Sequence, residues 1–219
     1  VSSTALAALA TTLGNGTSGQ HMGVRIATFN VHHCAPPSGW ARLATVARVV
    51  SAMRPDVMAV QELDRGMRRS LWRDQARRLA DANGHQLVFS QTLQRDAGAY
   101  GIALVSRWPI TDVEVLSLPR DRGRERRVAQ LALIHPPGEE RFLMVGTHLQ
   151  NERAFGGAAP HAMSQLAVLL ERVHERAGTD GVSMLVVAGD LNTDRAGTAF
   201  EAAGYSWAPS SPTFPALRP

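Results

Sequence analysis

The sequence of 219 residues predicts a mixed α/β protein with much antiparallel pairing. Three observations carry this. Helical patterns alternate with short apolar runs at both ends of the chain, in the order βαβα at the start and αβα at the finish. Between them lie four or five strand-like runs in succession, and their connections are too short for βαβ crossovers. No internal linker and no repeat at tens-of-residues spacing breaks the pattern. A doubly wound parallel sheet is therefore excluded.

The elements follow in order. Residues 24–29 read as a strand. Residues 41–53 place Leu43, Val46, Ala47, Val50 and Met53 on one helical stripe. Arg54-Pro55-Asp56 breaks that helix, and Val57-Met58-Ala59-Val60 follows as a buried strand. Residues 71–83 read as a helix stopped by Gly84. Strand-like runs occupy 86–90, 102–105, 113–118, 128–134 and 142–146. Residues 160–176 form an amphipathic helix through Met163, Leu166, Leu169, Leu170 and Val173, with Gly178 as its stop. A strand over 182–188 and a short helix over 198–203, ended by Gly204, complete the chain.

Composition sets the outer limits. With 44% hydrophobic and 19% charged residues, this is an ordinary globular composition. A chain of this length buries roughly 70% of its unfolded surface, so it needs no disulfides. The single cysteine, Cys34, rules out an internal disulfide framework. All 23 basic residues are Arg, which GC-rich coding explains and bidentate phosphate recognition would also use. The net charge of +4 fits an anionic partner, nucleic acid included, without demanding one. The four Trp residues are dispersed and read as packing groups. No apolar run reaches the roughly 20 residues of a membrane span. Residues 1–22 read as a disordered or leader-like extension, with the working domain over 23–219. No basic start or long apolar core marks an export signal, so the default expectation is cytoplasmic. A monomer is the default expectation for assembly.

The chemistry lies at strand ends. Four apolar runs terminate in groups that bind a metal or a phosphate oxygen: Asn30; Gln61-Glu62; His148; Asp190 with Asn192. If these ends converge, they supply a carboxylate for a hard cation, an acid–base pair and amide donors. Each has a plain structural reading too. Asn30, Asp190 and Asn192 are turn formers or caps. Glu62 sits beside Asp64 in a candidate solvated loop, and a lone His148 suits a structural hydrogen bond. His32, His33 and Cys34 resemble a metal cluster. However, three consecutive residues do not all face one tetrahedral ion, and no matching Cys/His pair exists elsewhere. In "VVAGDLNTD", Leu191 is expected to turn into the core while Asp190 and Asn192 share a face, as alternation along an extended backbone requires.

Together and in order, the motifs resemble the endonuclease/exonuclease/phosphatase superfamily, the DNase I-like proteins. The motifs are "ATFNVHH", "PDVMAVQELD", "YGIALVSRWPI", "RERRVAQLAL", "GTHLQ" and "VVAGDLNTD", spread between Val24 and about Ala216. The resemblance implies a four-layer α/β sandwich: two mixed, mostly antiparallel sheets packed together with helices outside. It implies a divalent-metal-dependent phosphoesterase that hydrolyses a phosphodiester or phosphomonoester by in-line attack of water. Nucleic acid, inositol or sugar phosphates and phospholipid head groups are the substrate classes it allows. Glu62 would coordinate Mg2+, or Mn2+ in its place, with Asn30 assisting. Asp190 would orient or deprotonate the water, Asn192 would donate to the phosphoryl oxygen, and His148 would stabilise the transition state or the leaving oxygen. Tyr100 and Arg127 would contact the phosphate, and Gln165 is placed with the substrate-binding residues or as a brace behind them.

One departure stands out. The family pattern continues beyond "SPTFPALRP" into an Ile-Asp strand and a Ser-Asp-His motif, and no Asp-His dipeptide occurs in this chain. The expectation is a C-terminally truncated member lacking its last strands. The rival expectation is a non-catalytic phosphate- or anion-binding module of the same fold. The Arg-rich stretch 120–127 reads as a solvated hairpin or a border to an anionic substrate. The arginines between 65 and 78 read mostly as helix surface.

Overall fold

The computed structural model describes residues 23–35, 42–151 and 161–208, together with the backbone of 11–12. Among the described residues, nine strands form two sheets. The first sheet has the order β2-β3-β5-β4, built from Ile26–Asn30, Val57–Arg65, Gly98–Ser106 and Gln86–Arg95. The second has the order β1-β9-β8-β7-β6, built from Thr11–Thr12, Met184–Asp190, Phe142–His148, Val128–Ile134 and Ile110–Ser117. Helices α1 (Leu43–Met53) and α2 (Gln75–Asp81) accompany the first sheet. Helices α3 (His161–Asp180) and α4 (Ala196–Ala202) accompany the second.

Strand alternation builds the four layers. In β3, Met58 and Val60 pack with Leu43, Val50, Ala76 and Leu79 of the first pair of helices. Val57 and Ala59 point the other way and meet Ala132, Ile134, Phe142, Met144 and Val186 of the second sheet. In β8, Leu143 and Val145 pack instead with Leu166, Leu169 and Phe200 of the outer helices. The order is therefore helices, sheet, sheet, helices, the expected four-layer sandwich. The sheets approach closely at Gly146, where an added Cβ would lie 2.7 Å from the Leu104 side chain. Phe142 is fully buried between the sheets. Phe142→Ala is expected to cost about 3–5 kcal/mol, read as a lower urea midpoint at unchanged slope.

Two parallel pairs position the site. β2 and β3 are parallel, with Asn30 opposite Gln61. β8 and β9 are parallel, with His148 opposite Asp190. Parallel strands need a crossover, and α1 and α3 lie in the two intervening segments. Each pair thus brings its chemistry-bearing residues to the carboxyl ends of its strands.

Several boundaries differ from expectation. The helix expected over 71–83 begins only at Gln75, because the Asp74 side chain accepts the Arg77 N–H and caps it there. Leu71 and Trp72 sit in a turn with φ of 55° and 59° and are 59% and 60% exposed. Trp72 is therefore not a packing group, whereas Trp108 is buried and Trp207 stacks on Phe200. Trp40 lies outside the described residues. Among the arginines expected on that helix, Arg65 lies in β3, Arg68 and Arg69 lie in a 3-10 turn, and Arg77 and Arg78 are helical. α3 runs past Gly178 to Asp180, where Arg176 donates to the Asp180 carboxylate at 2.6 Å. In the N-terminal stretch, Thr11–Thr12 pair antiparallel with Met184 and Leu185; the rest of 1–22 lies outside the described residues. Among the described residues, no helix is long and apolar enough to cross a membrane.

Candidate active site

Asn30 joins the two sheets. Its Nδ2 donates to Glu62 Oε1 at 2.7 Å and to Asp190 Oδ2 at 2.8 Å. Its Oδ1 accepts the His32 N–H at 3.0 Å. Two carboxylates from different sheets are therefore held by one amide. The reason lies in β3, whose pairing with β5 shifts register between Val60 and Leu63. Met58, Val60 and Leu63 all face the same helix-side core, so the side-chain alternation changes phase there. Glu62 sits at the change with φ 62°, a left-handed backbone that an ordinary L-residue resists. The bulge takes Glu62 out of the ladder and aims it at Asn30.

Asp190 ends β9. Gly189 precedes it because a Cβ there would lie 2.2 Å from the Thr147 carbonyl oxygen. Asp190 Oδ1 accepts the Asn192 N–H at 3.2 Å, and Asn192 Nδ2 donates to the Leu149 carbonyl at 3.0 Å. Leu191 is buried in the core, as expected. The extended alternation expected for Asn192 is not found. Its φ is 51°, so the chain leaves Asp190 through a left-handed turn.

His148 is 5% exposed. Its Nδ1 lies 2.9 Å from Arg127 Nη1, and guanidinium only donates, so Nδ1 accepts and the ring proton sits on Nε2. Nε2 lies 3.9 Å from Asp190 Oδ2. Burial, aided by the Arg127 charge, holds the His148 pKa well below its ordinary value. The ring is thus a neutral N–H donor near physiological pH. Arg127 is 7% exposed and also pairs with Glu125 at 3.5 Å, so it orients His148 from behind.

Burial pushes the Tyr100 phenol pKa up, with the nearby Glu62 and Glu125 charges adding to the effect. Gln165 is held by backbone groups. It is 1% exposed, its Oε1 accepts the Gln150 N–H, and its Nε2 donates to the Pro119 carbonyl. It ties the segments after β8 and β6 together.

Next to Glu62 lies a turn that the motif reading left without a role. His32, His33 and Cys34 have φ of 45°, 44° and 58°. Three consecutive left-handed residues cost on the order of 1–2 kcal/mol each. The turn is closed by Cys34 N–H to Val31 O at 2.8 Å and by Ala35 N–H to His32 O at 2.9 Å. Gln75 anchors it by donating to the His33 carbonyl at 2.7 Å while accepting the Asp64 N–H. Cys34 is buried, and burial, then Asp64, pushes its thiol up to about 12, so no thiolate is available there. His33 is lowered to about 4, by burial first and then by Arg69 and His32.

The lowered histidines, His85 among them, link stability to pH. In the unfolded chain, histidine titrates near 6.5. Below that pH the unfolded state takes up protons that the fold refuses, so stability is fully present above about 6.5 and is lost as pH falls. For His33 the window runs from 6.5 down to about 4. Urea midpoints are expected to decline from pH 7 to pH 5, and His148→Gln to flatten the decline. A flat wild-type profile would contradict the neutral assignments.

The model of the Endonuclease/Exonuclease/phosphatase family matches residues 27–216. The chain belongs to this family. A structure of an endonuclease/exonuclease/phosphatase from Beutenbergia cavernae superposes with a TM-score of 0.62 at 25% identity, covering 77% of this chain and 47% of that one. The human Nocturnin catalytic domain, solved with bound sulfate, superposes at 0.65 with 18% identity, covering 82% and 68%. ANGEL2, a 2',3'-cyclic phosphatase solved with adenosine-2',3'-vanadate, superposes at 0.61 with 18% identity, covering 81% and 57%. These neighbours establish the DNase I-like fold. The chain spans about half the length of the Beutenbergia cavernae protein and of the Caenorhabditis elegans TDP2 structure that it also matches. Among curated proteins none matches.

Proposed function

We propose that this chain carries the site of a divalent-metal-dependent phosphoesterase that directs water in line at a phosphodiester or phosphomonoester. The single observation that carries the reading is the Asn30 bridge, which fixes Glu62 and Asp190 side by side at the carboxyl ends of two parallel strand pairs. The donor set suits a divalent cation, since Glu62 offers a half-buried carboxylate and Asn30 Oδ1 keeps a lone pair beyond its bond to His32. Mg2+ or Mn2+ held there would neutralise charge on the phosphoryl oxygens. Asp190 holds the attacking water and takes its proton. His148 donates from Nε2 to the charge developing on phosphorus oxygens, and the free N–H of the Asn192 amide donates beside it. Arg127 keeps the His148 tautomer fixed, and Tyr100 would contact the phosphate.

The substrate is a phosphate ester, with nucleic acid among the candidates because of the net charge of +4. The alternative is a module of the same fold that binds phosphate without turnover. The two are separated with bis(p-nitrophenyl) phosphate, p-nitrophenyl phosphate and inorganic phosphate. The proposal expects divalent-dependent release of nitrophenol, with one oxygen from labelled water in the phosphate product. Calorimetric binding of inorganic phosphate without any turnover would replace it with the module.

A further inference from the structure

We propose that His32, His33 and Glu62 form a nitrogen-and-oxygen site for a borderline divalent cation of the Co2+ or Zn2+ class, so that the metal centre is not restricted to Mg2+ or Mn2+. Ligand atoms of these three residues all lie within 4.8 Å of one another. A tetrahedral ion with bonds of about 2.0–2.1 Å needs its ligands about 3.3 Å apart, so small side-chain rotations close the site. The inference rests on Glu62 as the metal carboxylate and deepens that part of the reading, but it does not depend on hydrolysis.

Adjacent side chains on an extended backbone point to opposite faces, so two neighbouring histidines do not ordinarily share a target. The left-handed turn removes this obstacle. It brings the two imidazoles to 4.3 Å between centroids, tilted by 51°, and sends Cys34 into the core away from them. Nothing in the packing requires this conformation of the rings, since both histidines are only half-buried. Strained non-glycine backbone concentrates where a ligand is held, and His32, His33 and Glu62, whose ligand atoms cluster, all have left-handed backbone. His32 is already prepared for coordination. Its Nδ1 lies 3.3 Å from the Ala35 carbonyl oxygen, which only accepts, so the ring proton sits on Nδ1 and Nε2 keeps its lone pair. The nearest cation, Arg69, is engaged in two hydrogen bonds with the buried Asp64 carboxylate at 2.9 and 2.7 Å. Two imidazoles and a carboxylate suit borderline ions better than Mg2+, which demands oxygen.

The test is metal binding to the full chain, measured by calorimetry with Zn2+, Co2+ and Mg2+ and by the visible absorption of bound Co2+. The proposal expects one Zn2+ or Co2+ bound about a hundredfold tighter than Mg2+, with a Co2+ spectrum showing nitrogen ligation. His33→Gly suits the left-handed backbone, so it is expected to fold with an unchanged or raised Tm. It should lose at least about tenfold in Co2+ affinity and keep its Mg2+ affinity. Glu62→Gln should lose both ions. Co2+ affinity and spectrum unchanged in His33→Gly and in His32→Gly would overturn the proposal. Mg2+-dependent hydrolysis without Co2+ binding would overturn this inference alone. Co2+ binding that requires both histidines, without hydrolysis, would sustain it while sinking the phosphoesterase reading.

Discussion

Glu62→Gln is expected to lower kcat for metal-dependent phosphoester hydrolysis by about a thousandfold or more, roughly 4 kcal/mol of transition-state stabilisation. The substitution keeps the side-chain shape and one oxygen to accept from Asn30 Nδ2, whose present bond is 2.7 Å. It removes the negative charge that would hold the cation. The fold should be indifferent, because the φ of 62° belongs to the position and not to the carboxylate. Thermal melts of the two proteins should therefore agree within a few degrees. A Gln variant retaining a tenth of wild-type kcat would remove Glu62 from the metal centre. Glu62→Gly sharpens the point: glycine accepts the left-handed backbone freely, so that variant should be inactive without being destabilised.

Asp190→Asn should lower kcat by about a hundredfold to ten-thousandfold, the usual range for a positioned acid–base group. Asp190 now accepts at both oxygens, from Asn30 at 2.8 Å and from the Asn192 N–H at 3.2 Å. An Asn amide satisfies one of these and turns its NH2 against the other. The variant should also lose about 1–3 kcal/mol of stability, since one donor is left facing a donor. KM should change far less than kcat, because Asp190 acts on water and not on the ester. A variant with raised KM and normal kcat would make Asp190 a binding residue only.

Much of this site is legible from strand ends. Asn30, Glu62, His148 and Asp190 each follow an apolar run, and the two parallel pairings bring all four to one end of the sandwich. What the runs do not encode is how each side chain is aimed. The bulge that frees Glu62 depends on pairing with β5, a partner distant in sequence. The Arg127 contact with His148 spans neighbouring strands and follows from the β7–β8 register, which local pattern leaves open. For Gln165 the resemblance leaves substrate contact and bracing open, and only the folded loops reveal that its amide bonds to Gln150 and Pro119. Pattern alone also misled at residues 71–83, where apolar Leu71 and Trp72 extend the helical spacing but Asp74 is the cap that starts the helix. Asp74 three residues before Arg77 was the available signal. The histidine turn shows the opposite limit. Three consecutive side chains do not face one ion, and Cys34 turns into the core, but the left-handed backbone that sets His32 beside His33 has no reliable local signature.

The most direct test is turnover of bis(p-nitrophenyl) phosphate by protein stripped with EDTA and then titrated with Mg2+ or Mn2+. The account predicts no activity in the stripped protein, recovery that saturates with added divalent ion, and no recovery in Glu62→Gln. Activity that persists after stripping, or that returns equally in Glu62→Gln, would contradict a metal-dependent centre built on Asn30, Glu62 and Asp190.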